Sequence, residues 1–222
     1  MHKIADDVFH IPLMPRNLIN CYVIDGVLID AGIQGSGRKI LKSIEGHNVT
    51  KHALTHAHAD HQGASKKICK KLNIPLLTSQ IEQSNAETGF ATRNYPNPNA
   101  LIPRLQQKLW AGPGHKVGQI LHEGDMVGGF EVIDTPGHAP GHISFFRRRD
   151  GVLIAGDTMI NMSFLTTLAG LRLPPAAFTT DREQNIASIK KLHALKPRII
   201  CFGHGPVLRD MQKFDDFVGK LA

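Results

Sequence analysis

The length of 222 residues, with 41% hydrophobic and 20% charged residues, is typical of one globular domain spanning 1–222 around a large core. The net charge of +7 comes from dispersed basic residues, and aromatic residues make up only 6%, which argues against a nucleic-acid-binding surface. No apolar run is long enough to span a bilayer, and the first residues are polar and acidic. We therefore expect a cytoplasmic protein whose partner is a small molecule, with no membrane or nucleic-acid partner.

The first half of the chain predicts a β-meander followed by alternating helices and strands. Asp25-Gly26 is typical of a two-residue hairpin turn between strands. The predicted strands are 8–11, 20–24, 27–30, 52–55 and 75–78, and the predicted helices are 36–44 and 62–72. This order favours an α/β layer architecture.

The second half predicts strands at 116–121, 130–135, 143–146, 152–155 and 198–202, with helices at 181–195 and at the C-terminus. Two long segments, 85–116 and 159–180, interrupt this pattern, apart from a short amphipathic helix at 101–110. Irregular segments of this length are often functional, so we expect them to form the walls of a pocket. The basic run at 147–151 is most simply a charged hairpin turn. The three cysteines, Cys21, Cys69 and Cys201, have no paired spacing and are expected to be reduced thiols in or near the core.

The run Thr55-His56-Ala57-His58-Ala59-Asp60-His61 follows a predicted strand and contains four side chains that bind metals. On extended backbone, His56 and His58 are two residues apart and point to the same face. Asp60 and His61 fall where a helical pattern begins, so the turn can direct the two pairs to different ions. Imidazole and carboxylate ligands favour zinc or a similar divalent metal.

Three further candidate ligands, His138, Asp157 and His204, each lie just past an apolar strand and beside a glycine. Glycine lets the backbone pass close to a site. Because strand ends converge at one edge of a sheet in α/β proteins, we expect these residues to lie near the histidine-rich turn. His142 is left out, because it is expected to start the next strand.

Taken together, these segments resemble the motifs of the metallo-β-lactamase superfamily. The matching motifs are Thr-His-x-His-x-Asp-His at 55–61, Thr-Pro-Gly-His at 135–138, Gly-Asp-Thr at 156–158, Gly-His-Gly at 203–205 and the early aspartate Asp30. The resemblance covers nearly the whole chain. It implies an αββα sandwich, in which two β-sheets pack face to face with helices outside and a dinuclear metal site lies along one edge.

The resemblance implies one metal on His56, His58 and His138, a second on Asp60, His61 and His204, and Asp157 bridging both. Asp30 would hold the ligand loop by hydrogen bonds without binding metal itself. Two divalent ions, expected to be Zn²⁺, would share a bridging hydroxide that attacks the carbonyl of a small ester, thioester or lactone. Asp60 would be the catalytic residue that orients this hydroxide.

The known activities of the superfamily require features that this chain has to different degrees. True β-lactamases generally lack the bridging carboxylate that Asp157 would supply, and glyoxalase II enzymes carry a C-terminal helical domain, whereas only 18 residues follow His204. Lactonases use a site tyrosine after the bridging aspartate, where this chain has none. Flavodiiron oxygen reductases have Glu at the position of His58, and the nucleases need basic arms. The chain is most similar to the small stand-alone bacterial hydrolases.

Within the second irregular segment, apolar residues with Arg172 and Arg182 nearby indicate a small acyl or thioester substrate with an apolar portion and a carboxylate. The alternative from another reaction class is an oxidoreductase like the persulfide dioxygenases, with a single iron. A binding module that retains the metal site without activity is the third reading.

Overall fold

A computed structural model describes residues 1–221, and most of its strands lie in two mixed β-sheets. The larger sheet has seven strands in chain order: β1 (His2–Ala5), β2 (Val8–Pro12), β3 (Asn20–Ile24), β4 (Val27–Ile29), β5 (Lys51–Ala53), β6 (Leu76–Ser79) and β7 (Val117–Leu121). Strands β1 to β4 form an antiparallel meander, and β4 to β7 are parallel. Between β3 and β4, Asp25 and Gly26 have positive φ angles of 45° and 77°, which confirms the predicted hairpin turn.

The remaining strands are β8 (Met126–Val127), β9 (Phe130–Asp134), β10 (Ile143–Arg147), β11 (Val152–Gly156), β12 (Ile160–Met162), β13 (Ala169–Arg172) and β14 (Ile199–Phe202). Five of them form the smaller sheet in the order β14-β11-β10-β9-β8. In that sheet β14 is parallel to β11 and the other pairs are antiparallel. The β12–β13 hairpin stands apart as a two-stranded sheet within the segment that the sequence predicts to be irregular.

The helices are α1 (Gly37–Ser43), α2 (Ala59–Gln62), α3 (Ser65–Leu72), α4 (Gln83–Thr88), α5 (Leu101–Leu109), α6 (Arg182–Ala194) and α7 (Met211–Val218). Asp181 caps α6 by accepting a hydrogen bond from the Gln184 backbone N–H, which stabilises the first turn of that helix. Over residues 1–221, no helix combines the length and apolar character needed to cross a lipid bilayer.

Side chains alternate between the two faces of each strand, so the apolar core forms three layers: one between the sheets and one outside each sheet. In β10, Phe145 points between the two sheets, whereas Phe146 points to the outer face of the smaller sheet. Ile40 and Ile68, from α1 and α3, pack on the outside of the larger sheet, and Ile189 of α6 packs on the outside of the smaller one. These layers form the predicted αββα sandwich.

The predicted hairpin turn is present at residues 148–151, but Arg147 lies outside it and is buried. It is the last residue of β10, and its side chain is 1% exposed. Its guanidinium lies 2.9 Å from Asp25 Oδ1 and 2.7 Å from Asp150 Oδ2, and its Cζ is 4.7 Å from the centre of the Phe130 ring. Two carboxylates and an aromatic face therefore replace the water that the buried cation loses. The three cysteines are buried and unpaired, which agrees with the prediction.

Candidate metal centre

All the sequence-predicted site residues lie beyond the carboxyl ends of strands at one edge of the sandwich. Asp30 follows β4, residues 56–61 follow β5, His138 follows β9, Asp157 follows β11 and His204 follows β14. A backbone hydrogen bond of 2.9 Å from Ile143 N–H to the Thr55 carbonyl joins the two sheets at this edge. The structure therefore brings the predicted residues from both sheets together.

The side chains fall into three groups whose possible ligand atoms lie within 4.8 Å of one another. These groups are His56, His58 and His138; His56, His61 and Asp157; and Asp60, His61 and His204. The first and third groups match the two sets that the resemblance implies. They meet at Asp157, whose Oδ2 lies 3.7 Å from His138 Nε2, 3.4 Å from His61 Nε2 and 3.0 Å from His204 Nε2.

Four histidines are oriented by a hydrogen bond at Nδ1, which leaves Nε2 facing the cluster. The partners are Thr55 Oγ1 for His56, Asp30 Oδ2 for His61, Thr179 Oγ1 for His138 and the Leu18 carbonyl for His204. Such bonds fix the ring orientation and the tautomer in which Nε2 carries a lone pair toward a metal. The fifth histidine, His58, instead presents Nδ1, 3.0 Å from His138 Nε2.

Asp30 acts on the ligand loop through its carboxylate. Its Oδ1 accepts a hydrogen bond from Thr55 N–H at 2.8 Å, and its Oδ2 accepts from Thr55 Oγ1 at 2.9 Å and from His61 Nδ1 at 2.8 Å. Asp30 has a φ of 59°, a left-handed backbone conformation that residues other than glycine rarely adopt. The strained residue is therefore the one whose carboxylate holds Thr55 and His61 by hydrogen bonds.

The donor set fits a divalent metal. His56 Nε2, His61 Nε2 and Asp157 Oδ1 are buried and make no hydrogen bond within the part of the chain that the structure describes. Buried polar atoms normally have partners, and imidazole nitrogen with carboxylate oxygen is the chemistry of a borderline divalent cation.

Electrostatics differ between the two ligand groups. In the three-histidine group, burial lowers the pKa of each imidazole, to about 4 for His138 and well below the usual value for His56 and His58. Neighbouring imidazoles lower the pKa values of His56 and His58 further. These rings are therefore neutral at pH 7, as metal ligands must be.

In the group that contains Asp60, burial disfavours the charged form of each side chain, but the opposite charge of its neighbours favours that form more strongly. Burial alone would lower the pKa of His204, yet Asp157 and Asp60 raise it to about 10, and Asp157 and Asp30 raise that of His61. Burial would raise the pKa of Asp60, but the hydrogen bond with His204 and nearby imidazoles hold it at about 2. The carboxylates therefore stay ionised and favour positive charge at this position.

His142, which the sequence analysis left out, lies one residue before β10 and has both ring nitrogens occupied. Its Nε2 accepts the backbone N–H of Asp157 at 3.0 Å, and its Nδ1 lies 2.8 Å from Thr135 Oγ1. Thr135 Oγ1 is in turn 3.0 Å from Ser144 Oγ. His142 therefore positions the backbone of Asp157 and has no lone pair left for a metal.

Glu82 is a residue of the site that sequence reasoning missed. It is 1% exposed, and its carboxylate accepts hydrogen bonds from two backbone N–H groups, Ala57 at Oε2 and Gly141 at Oε1, each at 3.1 Å. Ala57 lies between His56 and His58, and Gly141 lies in the loop that carries His138. Burial raises the Glu82 pKa. One carboxylate thus joins two ligand loops, and no local sequence pattern marks it.

Gly203 allows the closest backbone approach to the cluster. A Cβ at this position would lie 2.1 Å from Asp157 Oδ1 and 2.7 Å from His61 Cε1, closer than real Cβ atoms come. The glycine before His204 is thus required by packing against two of the candidate ligands.

A cavity of about 510 Å³ opens onto the cluster, and both irregular segments predicted to be pocket walls line it. Segment 85–116 contributes Tyr95, whose ring centre is 4.6 Å from that of His58. A site tyrosine was expected only after Asp157, whereas Tyr95 reaches the site from segment 85–116. Arg172 and Arg182, which the sequence predicts to be near the pocket, are not among the residues that line the cavity.

Comparisons with known proteins identify the family and the fold of the chain. The family model described as "Metallo-beta-lactamase superfamily" matches residues 14–204. The probable metallo-hydrolase YflN of Bacillus subtilis is 34% identical over 200 residues, covering 81% of this chain and 75% of the relative. The hydroxyacylglutathione hydrolase GloC of Haemophilus influenzae is 28% identical over 197 residues, covering 84% and 85%. A crystal structure of TTHA1623 in a di-iron-bound form superposes with a TM-score of 0.66 at 27% identity, covering 90% and 94%.

Proposed function

The chain belongs to the metallo-beta-lactamase superfamily, and on this basis we propose that it is a metal-dependent hydrolase acting on a small ester, thioester or lactone. The observation that carries the proposal is the pair of ligand groups that meet at the Asp157 carboxylate. The proposed centre holds two divalent ions, expected to be Zn²⁺. The proposed partner is a small-molecule substrate, with no membrane or nucleic acid involved.

One ion would be held by His56, His58 and His138, and the other by Asp60, His61 and His204, with Asp157 shared between them. When bound, such an ion pair lowers the pKa of a water to near neutrality and polarises the substrate carbonyl. Within the chain, Thr55, Asp30 and Thr179 support this arrangement by holding Nδ1 of three of the histidines.

Asp60 is the proposed catalytic residue. It lines the cavity, its side chain is 14% exposed, and its Oδ2 lies 3.3 Å from His204 Nε2. A carboxylate in this position accepts a hydrogen bond from the attacking hydroxide and directs the oxygen lone pair at the carbonyl carbon. The hydroxide oxygen bonds to that carbon, the C–O or C–S bond breaks, and the leaving group takes a proton from solvent.

The relatives support carbonyl chemistry to different degrees. GloC is named as a hydrolase of hydroxyacylglutathione, and YflN as a probable metallo-hydrolase. The di-iron form of TTHA1623 makes iron a second candidate for the metal. Elemental analysis of the purified protein separates the cases: about two zinc or two iron ions per chain support the dinuclear hydrolase, and a single iron supports the oxidoreductase reading.

The test of function is turnover of a panel of thioesters, esters, lactones and phosphodiesters by the metal-loaded protein. Asp60→Ala should abolish turnover and weaken one of two metal-binding steps while the fold is retained. Asp216→Ala, the same change at an exposed residue of α7, is the control and should leave turnover and metal binding unchanged. A preference for phosphodiesters, or full activity of Asp60→Ala, would contradict the proposal.

A further inference from the structure

The cavity at the candidate metal centre has an apolar lining from two segments of the chain, which the proposed hydrolytic step does not use. Ile102 of α5 and Trp110, the residue after α5, form one wall, and Phe164 and Leu165, in the loop between β12 and β13, form the second. The Phe164 ring centre is 5.0 Å from that of His204, so the second wall begins at the candidate metal ligands.

These side chains are held in water at the mouth of the cavity. Leu165 is 96% exposed, Ile102 is 59% exposed and Phe164 is 41% exposed. Single exposed apolar residues are ordinary, but apolar residues grouped around one opening mark a binding surface. Because they line one cavity together, they indicate that an apolar group binds against them.

The lack of basic residues in the cavity lining, within the described part of the chain, disfavours one class of ligand. Within residues 1–221, the residues that line the cavity include no lysine or arginine, and their carboxylates belong to Asp60 and Asp157 of the metal centre. A substrate portion with free carboxylates, such as the glutathione part of a glutathione thioester, would lie against apolar walls without a cation to pair with. Burying an unpaired charge in such surroundings is costly.

We infer that the substrate carries an uncharged, apolar acyl chain, which lies between Ile102 and Leu165 while its carbonyl reaches the metal centre. This inference rests on the proposed hydrolase function and adds the substrate class and two residues that determine specificity. The apolar chain contacts the same walls in the ground state and the transition state, so it lowers KM more than it raises kcat.

The expected size of the effect follows from apolar burial. Each methylene that leaves water for the cavity should raise kcat/KM about twofold to fourfold, until the chain extends beyond the walls. Leu165→Ser should flatten this dependence, chiefly through KM. Because Leu165 is almost fully exposed, the substitution should leave the fold unchanged.

The chain offers a matched control for this variant. Leu168 lies in the same loop, is 68% exposed and does not line the cavity. The experiment measures hydrolysis of p-nitrophenyl acetate, butyrate, hexanoate and octanoate by the metal-loaded full chain and by both variants. A steep chain-length dependence that Leu165→Ser loses and Leu168→Ser keeps supports the inference. A flat dependence in the unmodified protein, or equal effects of the two variants, overturns it.

A second measurement is independent of catalysis and of the metal. Trp110 is the chain's one tryptophan and lines the cavity, so its fluorescence reports binding there. Titration with 2-hexanone, 2-octanone and 2-decanone, which cannot be hydrolysed, should give Kd values that fall about twofold to fourfold per methylene. Length-dependent binding without turnover of any ester, thioester or lactone would refute the proposed function and leave the apolar cavity site standing. Turnover without length-dependent binding would refute the inference alone.

A matched pair of thioesters tests the charge argument. Octanoyl thioesters of N-acetylcysteamine, which is uncharged, and of glutathione, which carries two carboxylates and an ammonium group, share the same acyl chain. We expect at least a tenfold higher kcat/KM for the uncharged thiol. Equal or reversed preference would overturn the claim that the cavity selects uncharged substrates.

Discussion

Substitution of Glu82 by glutamine isolates the contribution of one carboxylate to the metal centre. In the structure, its two oxygens accept the backbone N–H groups of Ala57 and Gly141, each at 3.1 Å. Glutamine has nearly the same shape, but its NH₂ group must face one of these two N–H donors. The variant therefore loses one hydrogen bond and leaves one buried donor without a partner.

The magnitude depends on two opposing terms. A buried donor without a partner costs about 1–3 kcal/mol. Burial raises the Glu82 pKa, which means that its ionised form is itself disfavoured in the folded protein at pH 7, and glutamine removes that cost. We therefore expect the free energy of unfolding of the metal-free protein to fall by no more than about 2 kcal/mol.

Metal binding should respond more strongly than stability. Ala57 lies between His56 and His58, so a shift of this loop displaces the three-histidine group. Loss of a partner that orients ligands typically lowers metal affinity about 10-fold to 100-fold. We expect this loss in one of two zinc-binding steps, measured by titration against a competing chelator.

A matched control is available on α4, the helix that follows Glu82. Glu87 of α4 also accepts a backbone N–H, from Val117 at 3.0 Å, but it is exposed and does not contact a ligand loop. Glu87→Gln should leave both zinc-binding steps unchanged. If Glu82→Gln bound zinc as tightly as the unmodified protein at both steps, the proposed role of Glu82 would be wrong.

Two further substitutions test the packing and the charge network. Gly203→Ala would bring a Cβ within 2.1 Å of the carboxylate proposed to bridge the ions, so bound metal measured by elemental analysis should fall to less than half while far-UV circular dichroism is retained. Gly35→Ala, where nothing lies within 4 Å of the added Cβ, is the control, and equal metal content in the two variants would contradict the argument. Arg147→Met removes a buried cation from two carboxylates and should lower the free energy of unfolding in urea by about 2–4 kcal/mol, with metal content unchanged. A loss below about 1 kcal/mol would show that the ion pairs contribute little net stability.

The pattern of glycines and histidines at strand ends was enough to predict which side chains gather at the edge of the sandwich. The spacing of His56 and His58 and the neighbours of His138 and His204 are local features, and they depend only on the strand periodicity and on where each strand stops. The order of elements predicted only an α/β layer architecture, and the αββα layer order was implied by the resemblance to the superfamily. The role of these side chains as metal ligands stays a proposal.

Other residues acquire their roles only through contacts between distant parts of the chain. Glu82 matters because two backbone N–H groups from separate loops converge on it, and Arg147 is buried because Asp25, 122 residues away in sequence, lies beside it. Tyr95 reaches the cavity from an irregular segment with no periodicity to predict its direction. Sequence alone thus determined the strands that the candidate site residues follow, since these depend on neighbouring residues, whereas β1, β8, β12 and β13 were not predicted. Tertiary structure decided which polar groups are paired and which apolar walls face the site, because pairing and burial depend on groups that only folding brings together.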